Sequence, residues 1–308
     1  MLFAIHRKHR PQFLYGILMA GAGSILFSGK AIIIKLAFVY ETDAATLLAL
    51  RMLMALPIFW LIYWQKTRRQ KMSALSWFDI GKVIGLGFIG YFLSSYLDFL
   101  GLQYISVGLE RIVLYLTPTI VLLISYFFLN KPISSMQWCA LVMGYLGVIA
   151  VFIQDVAYSG LSAWLGMGLV FGAACTYATY MIGSGMIVRR IGSIRLVVYA
   201  SSASALFSLI QILLKNPHSI FLQAPQIYWL SLINAVFCTV VPMLLIMISI
   251  NRIGPPLAAQ AGILGPVSTI FMGSFFLSEP ITLWQISGMS LVIVAMWFLI
   301  KDGKSNNN

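Results

Sequence analysis

The sequence predicts an all-α integral membrane protein, with ten transmembrane helices arranged as two five-helix repeats inserted with opposite topologies. Three observations predict it. Hydrophobic residues make up 60% of the chain and charged ones only 9%, against about a quarter charged in soluble domains. With a mean hydropathy of +0.93, the chain lacks the polar surface to cover a core in water, so lipid must solvate most of it. The apolar residues fall in blocks near the ~20 residues needed to cross a bilayer as a helix. A register shift that carries Pro118 onto Pro266 also superposes much of the second half on the first.

Taken in order, the first block begins at Phe13, after the basic run His6-Arg7-Lys8-His9-Arg10. Basic residues before an apolar run, with Ala20-Gly21-Ala22 beyond, resemble a secretory signal. The apolar stretch continues to Phe38, too long for a typical signal core, and is read as a retained first span, 13–37. Spans 44–64, 81–103, 107–129 and 135–153 complete a first repeat, 13–153. Spans 163–186, 196–214, 227–250, 256–277 and 282–300 form a second, 163–300. Pro and Gly inside these blocks are tolerated where neighbouring helices satisfy the freed backbone groups.

Charge placement sets the expected orientation. Of the 20 Lys and Arg, fifteen fall in segments on the same side as the N-terminus. Four lie within spans, and Lys215 alone sits on the other side, together with Glu41, Asp43, Asp155 and Glu279. By the positive-inside rule both termini are cytoplasmic in an inner membrane. The net charge of +12 is thereby a topology signal, and no nucleic-acid partner is expected.

The repeat is most legible around the fourth and fifth spans. Ile105, Leu109, Leu116, Pro118 and Gln137 match Ile253, Leu257, Leu264, Pro266 and Gln285, and the segment FFLNKPI matches FFLSEPI. Five spans per half is an odd number, so the second copy enters the membrane inverted. Lys131 in the first copy is Glu279 in the second, as expected if the two loops face opposite sides. Inverted repeats of this kind build many secondary transporters.

These residues resemble the drug/metabolite transporter superfamily, in particular its EamA-type members with two repeats of five helices. The resemblance covers nearly the whole chain. It is carried by the Pro118 and Pro266 helices, by Leu129-Asn130-Lys131-Pro132 and Leu277-Ser278-Glu279-Pro280, and by Lys35 and Arg51. The family's usual Leu-Gly-Glu loop is kept better at Ser278-Glu279 than at Asn130-Lys131. Gly108-Leu109-Glu110-Arg111 and Cys238-Thr239-Val240-Val241-Pro242 resemble one subgroup. The resemblance implies transport of small metabolites, often amino acids or related carboxylate-bearing solutes, with export the expected direction.

Charges within membrane spans are costly and mark functional candidates. There are six: Lys30, Lys35, Arg51, Asp98, Glu110 and Arg111, all in the first half and all expected in one layer toward the periplasmic side. Two readings stay open. In one, Lys35, Glu110 and Arg111 snorkel to the interface while Arg51 and Asp98 neutralise each other. In the other, some of the six line a cavity whose excess of positive charge takes an anionic group. The candidate substrate-binding set is Lys30, Arg51, Tyr91, Asp98, Tyr115, Tyr177, Tyr180 and Gln260, with Phe27, Tyr96 and Phe237 as further wall aromatics. Asp98 and Glu110 are the intramembrane carboxylates and hence the proton-coupling candidates. Burial and the neighbouring cations act on their protonation in opposite senses, so the sequence leaves that role open.

Pro118, Pro242 and Pro266 lie within spans and each removes a backbone donor, which makes them candidate hinges. Gly81 with Gly85, and Gly16 with Ala20, read as small-residue seams for close helix packing. Cys139, Cys175 and Cys238 form no CxxC pair, no histidine lies within a span, and no phosphate-binding or hydrolase motif occurs. No metal or cofactor is expected, and the expected partners are a small-molecule substrate and the lipid bilayer. Monomer and homodimer both stay open. The competing reading is an integral-membrane enzyme or lipid-handling protein with a polar site on the periplasmic side.

Overall fold

The structure is a computed structural model that describes residues 2–68, 75–130, 132–253 and 264–305. Among the described residues ten helices follow one another and no strand occurs. They are α1 (Leu2–Phe38), α2 (Ala44–Thr67), α3 (Trp77–Gly87 and Ser94–Gly101), α4 (Val107–Leu114 and Thr117–Leu129) and α5 (Ser135–Ser159). The second half holds α6 (Ser162–Ile191), α7 (Ser193–Lys215), α8 (Pro225–Ala235 and Val241–Ile253), α9 (Leu264–Leu277) and α10 (Leu283–Ser305). Eight of them are long and apolar enough to cross a membrane, and α9 and α10 contain shorter apolar stretches, Leu264–Leu277 and Leu283–Ala295.

Helix starts follow local chemistry. Asp43 accepts a hydrogen bond from the Thr46 amide to begin α2, and Ser106 accepts one from the Leu109 amide to begin α4. Ser134 and Gln137 form a reciprocal capping box at the start of α5. The breaks are equally local. A π-helical turn, Phe88–Leu93, interrupts α3, and another, Val236–Val240, interrupts α8. Under the shift that superposes Pro118 on Pro266, Phe88 falls on Val236, so the two turns occupy equivalent places. The same shift carries Asn130, with φ 52°, onto Ser278, with φ 55°. Each is a left-handed residue just after the fourth helix of its half.

Packing repeats the symmetry. Helix α5 packs on α10 and α2 on α7, while α3 on α6, α4 on α6 and α3 on α7 are matched by α8 on α1, α9 on α1 and α8 on α2. Advancing each helix by five therefore maps the arrangement onto itself. With an odd number of helices per half, the two-fold relation that does this inverts one repeat with respect to the other. Small residues make the tightest seam. A Cβ on Gly147 would stand 2.6 Å from the Gly288 carbonyl oxygen, and one on Gly288 would stand 2.5 Å from that of Gly147, so α5 and α10 approach backbone to backbone. The expectation of a second seam at Gly81 and Gly85 is corrected. A Cβ on either would meet nothing within 4 Å, because this edge of α3 borders a groove.

Candidate functional site

A cavity of about 500 Å³ opens among α1, α2, α3, α4, α6, α7 and α8. Its position follows from the repeat. Tyr91 of α3 and Thr239 of α8 are equivalent residues and both line it, as do the equivalent Asp98 and Ile246. Both π-helical turns contribute to the wall, through Gly90 and Tyr91 on one side and Thr239 on the other. A π turn leaves a backbone carbonyl without its usual helical donor, and in α8 the Thr239 hydroxyl donates to the Asn234 carbonyl at 3.0 Å.

The two repeats furnish it unequally. Lys30, Arg51, Asp98 and Arg111, all from the first half, line the end where α1 finishes and α2 begins. Each is 6% exposed or less. Lys30 Nζ donates to Asp98 Oδ2 at 2.5 Å. Arg111 donates to the Ser28 carbonyl at 3.2 Å, and its Nε lies 3.7 Å from the carboxylate of Glu110. Arg51 differs from the others. It donates to the Ser95 hydroxyl at 2.9 Å and its guanidinium carbon lies 4.9 Å from the centre of the Phe99 ring, and its Nε, like that of Arg111, has no hydrogen-bond partner. Among the described residues no carboxylate lies within ion-pair distance of it. The opposite wall is apolar, with Phe59, Met181, Met243 and Ile246.

Most of the residues expected from sequence meet here. Lys30, Arg51, Tyr91, Asp98, Tyr115 and Tyr177 all line the cavity, as does Phe27. Tyr180 does not. Its hydroxyl donates to that of Tyr91 at 3.3 Å and its ring packs against Gly90, where a Cβ would stand 2.2 Å from it, so it backs the wall instead of forming it. Tyr96 and Phe237 are likewise absent from the lining, and Phe237 is 51% exposed. Gln260 lies outside the described residues. Glu110 is wholly buried behind Arg111. Neither it nor Arg111 reaches an interface, because the loop carrying Glu279 covers the start of α4. Both Glu279 carboxylate oxygens accept from the Val107 amide, at 3.1 and 3.2 Å. Lys35 pairs with the same carboxylate at 3.8 Å. Asp98 is neutralised by Lys30, not by Arg51 as one reading had it.

Pro242 follows the π turn of α8 directly after Val241. Pro118 sits in the first turn of the second segment of α4, and Pro266 in the first turn of α9. Sequence reasoning passed over Ser94, Ser95, Thr117, Ser201 and Met243, which are also part of the lining. Small hydroxyls and methionines are common throughout membrane helices, so only the repeat register could have marked them, Ser95 and Met243 being equivalent positions.

The EamA-like transporter family model matches residues 14–153 and 164–301, one match in each half. The chain belongs to the EamA-like transporter family. It is 32% identical over 299 residues to a Bacillus subtilis (strain 168) protein described as uncharacterized transporter YcbK, covering 92% of this chain and 93% of that one. A second B. subtilis protein, described as uncharacterized transporter YoaV, is 25% identical over 240 residues, with 77% and 80% covered. A crystal structure covering 92% of this chain and 95% of its own aligns with a TM-score of 0.64 at 16% identity, a likeness that concerns the fold alone. Members of this family are membrane transporters, and the site above is read within that class.

Proposed function

We propose that this chain is a secondary transporter of small metabolites that carry a carboxylate, amino acids or close relatives, and that it works by alternating access. The observation that carries the reading is Arg51, a 5% exposed guanidinium that faces the cavity and has no carboxylate within ion-pair distance among the described residues. A buried unpaired charge is costly, and a substrate carboxylate would remove that cost on binding. With Lys30 paired to Asp98 and Arg111 beside the buried Glu110, the cations that line the cavity leave one positive charge in excess. For an amino acid, the ammonium would compete with Lys30 for Asp98, opening the ion pair, while the apolar wall takes the side chain. Pro118, Pro242, Pro266 and the paired π turns supply helix segments that can bend as the two bundles rock. Asp98, and Glu110 behind it, are the groups a coupled proton would visit.

The Lys and Arg asymmetry supports an inner-membrane location with both termini in the cytoplasm. Export is the proposed direction and rests on the family resemblance. Counterflow in proteoliposomes tests the reading. Preloaded unlabelled amino acid should accelerate entry of the labelled one, and chemical conversion of the solute without trans-stimulation would overturn it in favour of an enzyme.

A further inference from the structure

Outside the central cavity, a groove of about 590 Å³ runs between α3 and α6. Lys82 and Arg190 stand at its mouth, Gly85 and Ile89 form one wall, and Gly183 and Met186 form part of the other. We propose that this groove binds an anionic phospholipid, with one acyl chain lying along the glycines and the phosphate held by Lys82 and Arg190.

Helix packing accounts for Gly183, where a Cβ would stand 2.6 Å from Leu86, but not for Gly85. A Cβ at Gly85 would meet nothing within 4 Å, nor would one at Gly81 a turn earlier, so the α3 wall leaves space that no neighbouring helix enters. The second repeat provides an internal control. The register that superposes the halves places Trp229, Leu230, Ile233 and Phe237 where the first repeat has Gly81, Lys82, Gly85 and Ile89. There the lipid-facing surface is built from the protein's own side chains, with Trp229 66%, Ile233 41% and Phe237 51% exposed. The fold therefore does not require the groove. One copy is hollowed and given a cation where the other is filled and neutral.

Depth and charge select the occupant. Trp77 and Phe78 begin α3 and are 88% and 69% exposed, as aromatic residues at the headgroup level are. Lys82 lies about one turn further in, over the Phe78 ring at 4.1 Å. From Lys82 to Ile89 the helix rises roughly 10 Å at ~1.5 Å per residue, about two-thirds of the ~15 Å of hydrocarbon in one leaflet. Arg190 is paired with Asp79, which with Lys82 leaves one positive charge at the mouth, enough for a single phosphodiester. A soluble phosphate would use the cations and leave the apolar length of the groove unfilled. Basic pockets between transmembrane helices hold anionic headgroups in this way. Lipid binding in this groove requires only that the chain span a membrane, whatever solute the central cavity takes.

The full chain, purified and delipidated in detergent, should bind dioleoylphosphatidylglycerol at least fivefold more tightly than dioleoylphosphatidylcholine, read by native mass spectrometry. That factor corresponds to ~1 kcal/mol for one cation near a membrane surface. Lys82→Leu, which copies the second repeat, should bring the preference below twofold with little effect on phosphatidylcholine. Gly85→Ile, which fills the groove with a side chain the structure has room for, should weaken both lipids at least fivefold. Unfolding midpoints of both variants without lipid should match the wild type. Equal binding of the two lipids by the wild type, or unaltered binding in both variants, would overturn the proposal. Competition by millimolar inorganic phosphate would do so as well, in favour of a soluble anion.

Discussion

Lys30 Nζ stands 2.5 Å from Asp98 Oδ2, with side chains 7% and 3% exposed, and this ion pair joins α1 to α3 across one end of the central cavity. Removing one partner strands a buried charge, which costs about 3–5 kcal/mol. Lys30→Ala should therefore lower the thermal unfolding midpoint in detergent sharply. The neutral pair Lys30→Met with Asp98→Asn should recover most of the loss. Unfolding curves of the single and double variants check this, and strictly additive effects would show that the two side chains are not coupled.

Arg51 makes a contrasting case, because among the described residues its only side-chain hydrogen-bond acceptor is the Ser95 hydroxyl. If a substrate carboxylate completes its coordination, Arg51→Ala should weaken binding of carboxylate solutes by about 10- to 100-fold, the worth of ~1.5–3 kcal/mol for a charged hydrogen bond. Binding of the decarboxylated amine should change little. Arg51→Lys should restore part of the affinity, since a point charge lacks the guanidinium fork. Dissociation constants for an amino acid and its amine, in wild type and both variants, decide it.

The spans were legible because bilayer thickness imposes a block length that composition reveals. The repeat was legible because Pro118 and Pro266, and the paired Phe-Phe-Leu segments, survive in both halves. The site was legible only in its charged half. Lys30, Arg51 and Asp98 stand out in apolar helices, and all three do line the cavity. Which aromatic faces inward was not legible. Tyr177 and Tyr180 are three residues apart on a helix that is apolar on every side, and a ~60° difference in bearing puts the first in the wall and the second behind Tyr91. The two π turns left no trace either. Phe88–Leu93 and Val236–Val240 share no residue type that signals an extra residue per turn. Whether Arg111 and Glu110 snorkel to an interface or face inward is open from distance along the helix alone, because it is a loop from the other repeat that buries them.

That loop carries a second testable contact. Glu279, from the second repeat, accepts from the Val107 amide at the start of α4 in the first repeat, and lies 3.8 Å from Lys35. A carboxylate at a helix N-terminus satisfies an orphan donor and complements the helix dipole. Glu279→Ala should cost about 1–2 kcal/mol of stability. Glu279→Gln keeps an acceptor but loses the charge, and should cost roughly half as much. Unfolding midpoints order the three proteins, and Gln no better than Ala would show that the capping hydrogen bond carries little of the effect.

Gly85 and Gly87 sit two residues apart on α3 and give a matched pair. A Cβ on Gly87 would fall 2.5 Å from the Ala200 carbonyl oxygen and 2.9 Å from the Ala200 Cα. Both atoms are α7 backbone, so neither can rotate aside, and α3 and α7 must separate. Gly87→Ala should destabilise by about 1–3 kcal/mol, the usual cost of overpacking. Gly85→Ala adds the same methyl group where nothing lies within 4 Å, and Ala is the better helix former by ~1 kcal/mol. It should leave stability unchanged or raise it slightly. Helix propensity is common to both substitutions, so the difference between the two unfolding midpoints isolates the α3–α7 contact. Equal midpoints would mean that α3 does not approach α7 at Gly87 as closely as the structure has it.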